Sequence, residues 1–113
     1  MTVRRVEDCD LPVIAEMMHQ ALGPFYGGDH RAHAKRIVET SANGSLDAKG
    51  HFSASQVMYV AEDGGQIVGI LNFVVKHQGT LKISPLIVRE NMRGKGVGRL
   101  LLAEVYRYVR EQN

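Results

Sequence analysis

The chain has one cysteine, Cys9, among 113 residues, so no intrachain disulfide can form. That excludes a disulfide-stapled scaffold and makes a reducing cytoplasm the simplest compartment. The first residues, Met1-Thr2-Val3-Arg4-Arg5, lack the apolar core of a signal peptide. No run approaches the roughly twenty apolar residues that a membrane-spanning helix needs. Net charge is only +2, too small a surplus to indicate a nucleic-acid binder. Internal repeats and low-complexity tracts are also absent. The apolar share of 44 % and charged share of 23 % are those of an ordinary folded domain, and the length fits one domain spanning residues 1–113.

Periodicity organises the chain. Thr2 to Val6 reads as a short strand. Asp8 or Asp10 can cap a helix that tolerates Pro12 in its first turn and ends at Gly23-Pro24. Its apolar face is Leu11, Ile14, Met17 or Met18, and Ala21 to Leu22. After the loop Phe25-Tyr26-Gly27-Gly28, a more polar helix is expected from about Asp29 to Thr40, packed through Ile37 and Val38. Residues 41–56 lack periodicity and read as a loop, unusually long for a small domain. Strands follow at Val57 to Glu62, Gln66 to Lys76 and Thr80 to Val88, with turns at Asp63-Gly64-Gly65 and His77-Gln78-Gly79. Val97, Leu101, Val105 and Val109 then repeat every fourth residue, predicting a helix close to the C-terminus. The expected order is β-α-α-β-β-β-α.

The positive charge is local. Arg89, Arg93, Lys95 and Arg99 fall within eleven positions, against the single acid Glu90. They surround Arg93-Gly94-Lys95-Gly96-Val97-Gly98, a turn between the Leu86-Ile87-Val88 strand end and the last helix. Such a turn offers backbone N–H groups and a helix N-terminus to an anion, a phosphate-bearing ligand above all. A Walker loop is excluded because no Gly-x-x-x-x-Gly-Lys-Ser/Thr run exists. The glycine spacing and the nearby end of the chain argue against a Rossmann fingerprint. The bland alternative is a tight strand-to-helix turn with solvated charges.

Arg93 to Gly98 matches Arg/Gln-x-x-Gly-x-Gly/Ala, and with Leu86-Ile87-Val88 before it and Arg99-Leu100-Leu101 after it, the segment resembles the central motif of the GNAT-type N-acetyltransferases. The resemblance implies an α+β fold in which a mainly antiparallel sheet is flanked by helices. It implies acetyl-coenzyme A as cosubstrate and direct attack of an amine acceptor, small molecule or peptide, on the thioester. Leu86, Ile87, Val88, Arg93, Gly94, Lys95, Gly96, Val97, Gly98 and Arg99 would then bind the cofactor, the strand end meeting the pantetheine arm and the turn the pyrophosphate. An oxyanion donor is implied at the N–H of Leu86 or Ile87, with Pro85 marking a strand distortion there.

Many members of this family carry a carboxylate where Ser84 stands, and a tyrosine acid on a later helix, so no catalytic residue is assigned. Tyr26, in the loop between the first two helices, is the candidate acceptor contact. Asp29 is either a second such contact or a helix cap. Asp29, His30 and His33 read as a solvated face rather than a metal site, and Tyr106 and Tyr108 as core or surface aromatics. The acids beside Cys9 argue against a nucleophile. Members of the family continue past this helix with a strand that diverges from the Thr80-Val88 strand. The latter is therefore expected to have an unpaired edge, completed by further sequence, a complementing chain or a second copy. The alternative function is an inactive coenzyme A-binding or assembly module.

Overall fold

The structure, a computed structural model, describes residues 1–43, 53–76 and 80–112. Four strands, β1 (Thr2–Arg5), β2 (Ser53–Asp63), β3 (Gln66–Lys76) and β4 (Leu81–Val88), form one antiparallel sheet in the order β1-β2-β3-β4. Helices α1 (Leu11–Leu22) and α2 (His30–Asn43) lie between β1 and β2 in sequence, and α3 (Val97–Gln112) follows β4. This is the expected element order and α+β class.

Strand alternation sorts the core into two layers. Met58, Val60, Ile70 and Ile87 face α1 and α2, where Ile14, Met18, Ala34 and Val38 are buried. Val57, Ala61, Leu71 and Phe73 face α3, meeting Val97, Leu101 and Val105. Three helical positions four apart thus become one buried stripe. Tyr108 joins that stripe edge-on to Phe73 at 5.2 Å, whereas Tyr106 is exposed. Gly64 and Gly65 have φ of 62° and 80° and make a two-residue hairpin turn between β2 and β3, a conformation that favours glycine at both positions.

Several expectations are corrected. Asp10 stands at the N-cap of α1 but makes no side-chain cap bond: its carboxylate instead accepts two bonds from the Arg4 guanidinium and one from the Glu7 N–H. Arg4 also pairs with Glu62 of β2, so the ionic cluster staples β1 to both neighbours. The expected loop at 41–56 is shorter at both ends. α2 runs on to Asn43 because Ser41 is buried and accepts the Met58 N–H at 2.8 Å. β2 begins at Ser53 because β3 is long enough to pair with it, Ser53 lying opposite Lys76. Residues 44–52 of that loop and the turn at 77–79 lie outside the described residues.

Candidate functional site

β4 decides the geometry of the site. Leu71 lies opposite Leu86 and Phe73 opposite Ile83, so Ser84 and Pro85 both face Asn72: a β-bulge at the distortion Pro85 was expected to mark. Beyond it, Ile70 lies opposite Ile87 and the Arg89 N–H reaches the Val68 carbonyl at 2.9 Å. Antiparallel strands bond at alternate residues, so the Ile87 amide is directed at β3 while those of Leu86 and Val88 point to the outer edge. Of the two expected oxyanion donors, Leu86 is thus the one on the open side. β4 pairs with no second strand among the described residues, so these amides border open space. The side chain of Ile87 turns instead toward α1.

A short helical turn, Glu90–Met92, leads from β4 into the glycine segment, and buried Met92 pins it to the α3 layer. Gly94 and Gly96 have φ of 80° and 85°, a left-handed backbone that disfavours any side chain. A Cβ at Gly94, Gly96 or Gly98 would meet no atom within 4 Å. The segment is therefore open where these side chains would stand, and packing against the described residues does not explain the glycines. The first backbone bond of α3 runs from Leu100 N–H to the Gly96 carbonyl, 3.1 Å. The amides of Val97, Gly98 and Arg99 before it have no intrahelical acceptor and carry the positive end of the helix dipole.

Arg93, Lys95 and Arg99 are exposed, and none takes part in an ion pair among the described residues. The Arg93 Nε lies 3.4 Å from the Val88 carbonyl, a long contact that keeps the guanidinium beside the strand end. Arg89 is committed differently: its Nε donates to the Ile67 carbonyl at 2.8 Å, clamping the start of the turn to β3. A cleft of about 390 Å³ lies between α1 and the end of β4, with Met17, Gln20 and Ala21 on one wall and Ile87, Val88 and Arg93 on the other. None of these α1 residues was among the expected site residues. The apolar ones read as core, and only the packing of α1 across the sheet shows that Gln20 borders a cleft.

The remaining candidates lie apart from this cleft. Tyr26 is exposed on the α1–α2 loop, and its carbonyl approaches the His30 Nε2 at 2.9 Å. Asp29 is a cap: its Oδ1 accepts the Arg31 and Ala32 N–H groups, both at 3.1 Å. His33 contacts Arg36, and desolvation followed by the Arg36 charge lowers its pKa. The Cys9 thiol is raised by desolvation, by Asp10 and by its contact with Glu7, which disfavours the thiolate.

Fold and turn together define an α+β domain in which a helix N-terminus and a strand edge stand side by side. The profile of the acetyltransferase (GNAT) family matches residues 15–113, and the chain belongs to that family. No curated protein sequence matches. Among solved structures, an aminoglycoside 6'-N-acetyltransferase complexed with coenzyme A superposes with a TM-score of 0.75 at 13 % identity, over 98 % of this chain and 56 % of its own. A ribosomal-protein-alanine N-acetyltransferase from Brucella melitensis gives 0.72 at 23 % identity, over 99 % and 68 %. A PaiA N-acetyltransferase from Thermoplasma acidophilum, in complex with coenzyme A, gives 0.70 at 12 % identity, over 98 % and 72 %. At these identities the likeness is one of fold. The chain spans little more than half the length of the first of these enzymes.

Proposed function

We propose that this chain supplies the coenzyme-binding half of an N-acetyltransferase that moves the acetyl group of acetyl-coenzyme A to an amine acceptor. The observation that carries the reading is the turn itself. Left-handed Gly94 and Gly96 and an open Gly98 stand at a helix N-terminus, beside three cations that form no ion pair among the described residues. A diphosphate satisfies all of these groups at once: its oxygens accept the turn amides, and Arg93, Lys95 and Arg99 balance its charge. Leu86, Ile87, Val88 and Val97 complete the binding surface. The outward amides of Leu86 and Val88 suit a pantetheine arm lying along β4, and the Leu86 N–H suits the thioester oxygen.

Acetyl-coenzyme A, the usual cosubstrate of this family, supplies the activated acyl group. The residues here bind and orient it for direct attack by an unprotonated amine. A serine hydroxyl does not ionise near neutral pH, so Ser84 serves at most to hold a water that takes the amine's proton. Tyr26, exposed on the α1–α2 loop, meets the acceptor. The open edge of β4 receives a further strand, from further sequence, a complementing chain or a second copy, in a cytoplasmic protein. Calorimetry with acetyl-coenzyme A, paired with a measurement of mass in solution, tests the whole reading. Binding that disappears in Gly96→Glu, which places a side chain and a negative charge in the turn, supports it; a monomer that binds nothing refutes it. Ser84, at a position where many members have a carboxylate, favours a second reading, a binding module without turnover. Affinity for acetyl-coenzyme A without thiol release across a panel of primary amines selects that reading.

A further inference from the structure

Asn72 is one of three buried polar or charged residues among those described, and it interrupts an otherwise apolar stretch of β3. Its surroundings explain it. The bulge places two residues of β4, Ser84 and Pro85, opposite Asn72 alone. Pro85 has no N–H, and two-against-one pairing leaves the ladder incomplete. The Asn72 Nδ2 fills the gap by donating to the Ser84 carbonyl at 2.9 Å. Which way this amide points is fixed from its other end: the Gln56 Nε2 donates to the Asn72 Oδ1 at 2.6 Å and to the Ile37 carbonyl of α2 at 3.2 Å. A relay of side-chain amides thus runs from α2 through β2 and β3 to the bend in β4. No buried side-chain nitrogen or oxygen among the described residues is left unsatisfied.

We propose that Asn72, oriented by Gln56, is a positioning residue for acyl transfer, a role that rests on the acetyltransferase reading above. By holding the Ser84 carbonyl it fixes the bend of β4, and the bend decides that the Leu86 amide faces the open edge. A strand without the bulge would shift the pairing by one residue and turn Leu86 toward β3. Through Gln56 the same relay ties the bend to α2, so the thioester-facing amide and the helix after the Tyr26 loop share one support. Among the described residues, no side-chain hydrogen bond joins the glycine turn to this relay. Affinity for coenzyme A and competence for transfer are therefore separable.

The test uses Asn72→Leu, Gln56→Leu and Asn72→Asp in the full chain. Coenzyme A affinity is read by calorimetry, thiol release from acetyl-coenzyme A is read with a panel of primary amines, and amide hydrogen exchange is read without ligand. Expected results are coenzyme A affinity within about twofold of the parent and thiol release at least tenfold slower in both leucine variants. Asn72→Asp is expected to regain activity relative to the parent as pH falls from 8 to 5.5, because only the protonated carboxyl can donate to the Ser84 carbonyl. Affinity and turnover falling together, with no recovery at low pH, would overturn the proposal.

Hydrogen exchange separates failure of this proposal from failure of the acetyltransferase reading. If the parent neither binds coenzyme A nor releases thiol, that reading falls. Faster exchange confined to Ile87 and Arg89 in Asn72→Leu still supports Asn72 as the residue that fixes the bend. An increase spread evenly over the sheet, or none at all, overturns it.

Discussion

Single residues decide how closely the layers of this protein approach. A Cβ built on Gly69 lies 2.6 Å from the Val97 Cγ1 and 3.3 Å from the Leu101 Cδ1, both on the buried stripe of α3. Valine is stiff at χ1 and cannot swing its methyl away. Gly69→Ala is therefore expected to cost about 1–3 kcal/mol, the range for overpacking a core, read as a lower urea midpoint. Gly94 and Gly96 are glycine for a different reason, backbone conformation in open space, and motif spacing in the sequence identifies them without help. Gly69 carries no such signal, because its constraint comes from a helix about thirty residues further along. Asp10 sets a pH dependence. Hydrogen bonding from Arg4 holds its carboxyl below the ordinary value of 3.8. Its stabilisation is therefore present above the unfolded-state pKa and is lost as pH falls through the lower folded value. Thermal melts should show Asp10→Asn less stable than the parent at pH 7, with the gap closing in strong acid.

Among the elements, helix stripes were more legible than strand ends. The repeat every fourth residue from Val97 located α3, and the glycine-containing turn sequences on either side located β3 at its observed limits, because each signal follows from local geometry alone. The start of β2 was misjudged because Ser53 and Ser55 have little strand preference and are strands only through their partners on β3. The end of α2 was misjudged for a related reason: Ser41 reads as a loop residue until its hydroxyl meets the Met58 amide. The start of α2 depends on Asp29, whose carboxylate serves two of the helix's first amides. Asp29→Ala is expected to lower stability by about 1 kcal/mol, within the usual range for a lost N-cap, measured by denaturant unfolding. Coenzyme A affinity should stay unchanged, since the cap lies apart from the glycine turn.

On the scale of the whole molecule, three layers converge on one end of β4. α1 supplies a cleft wall, β4 an open edge, and α3 a helix N-terminus with exposed basic residues around it. A ligand bound there stabilises the folded state by mass action, by about 2.7 kcal/mol at a hundredfold excess over Kd. Coenzyme A should accordingly raise the melting temperature of the parent and leave that of Gly96→Glu unmoved. Because Arg93, Lys95 and Arg99 are solvent-exposed, the stabilisation should weaken as ionic strength rises; a thermal-shift series in sodium chloride measures this.

The sequence by itself determined the order of the elements, the glycine turn with its charges and, through Pro85, the site of the strand distortion. All of these are short-range: a turn needs particular φ angles, an amphipathic helix a period, and proline lacks a donor wherever it stands. Tertiary structure alone decided which β4 amides face outward, that Asn72 supports the bend, and that Gln20 of α1 borders the cleft. Those facts depend on strand register and layer packing, which bring together residues such as Gln56, Asn72 and Ser84 that no local pattern connects.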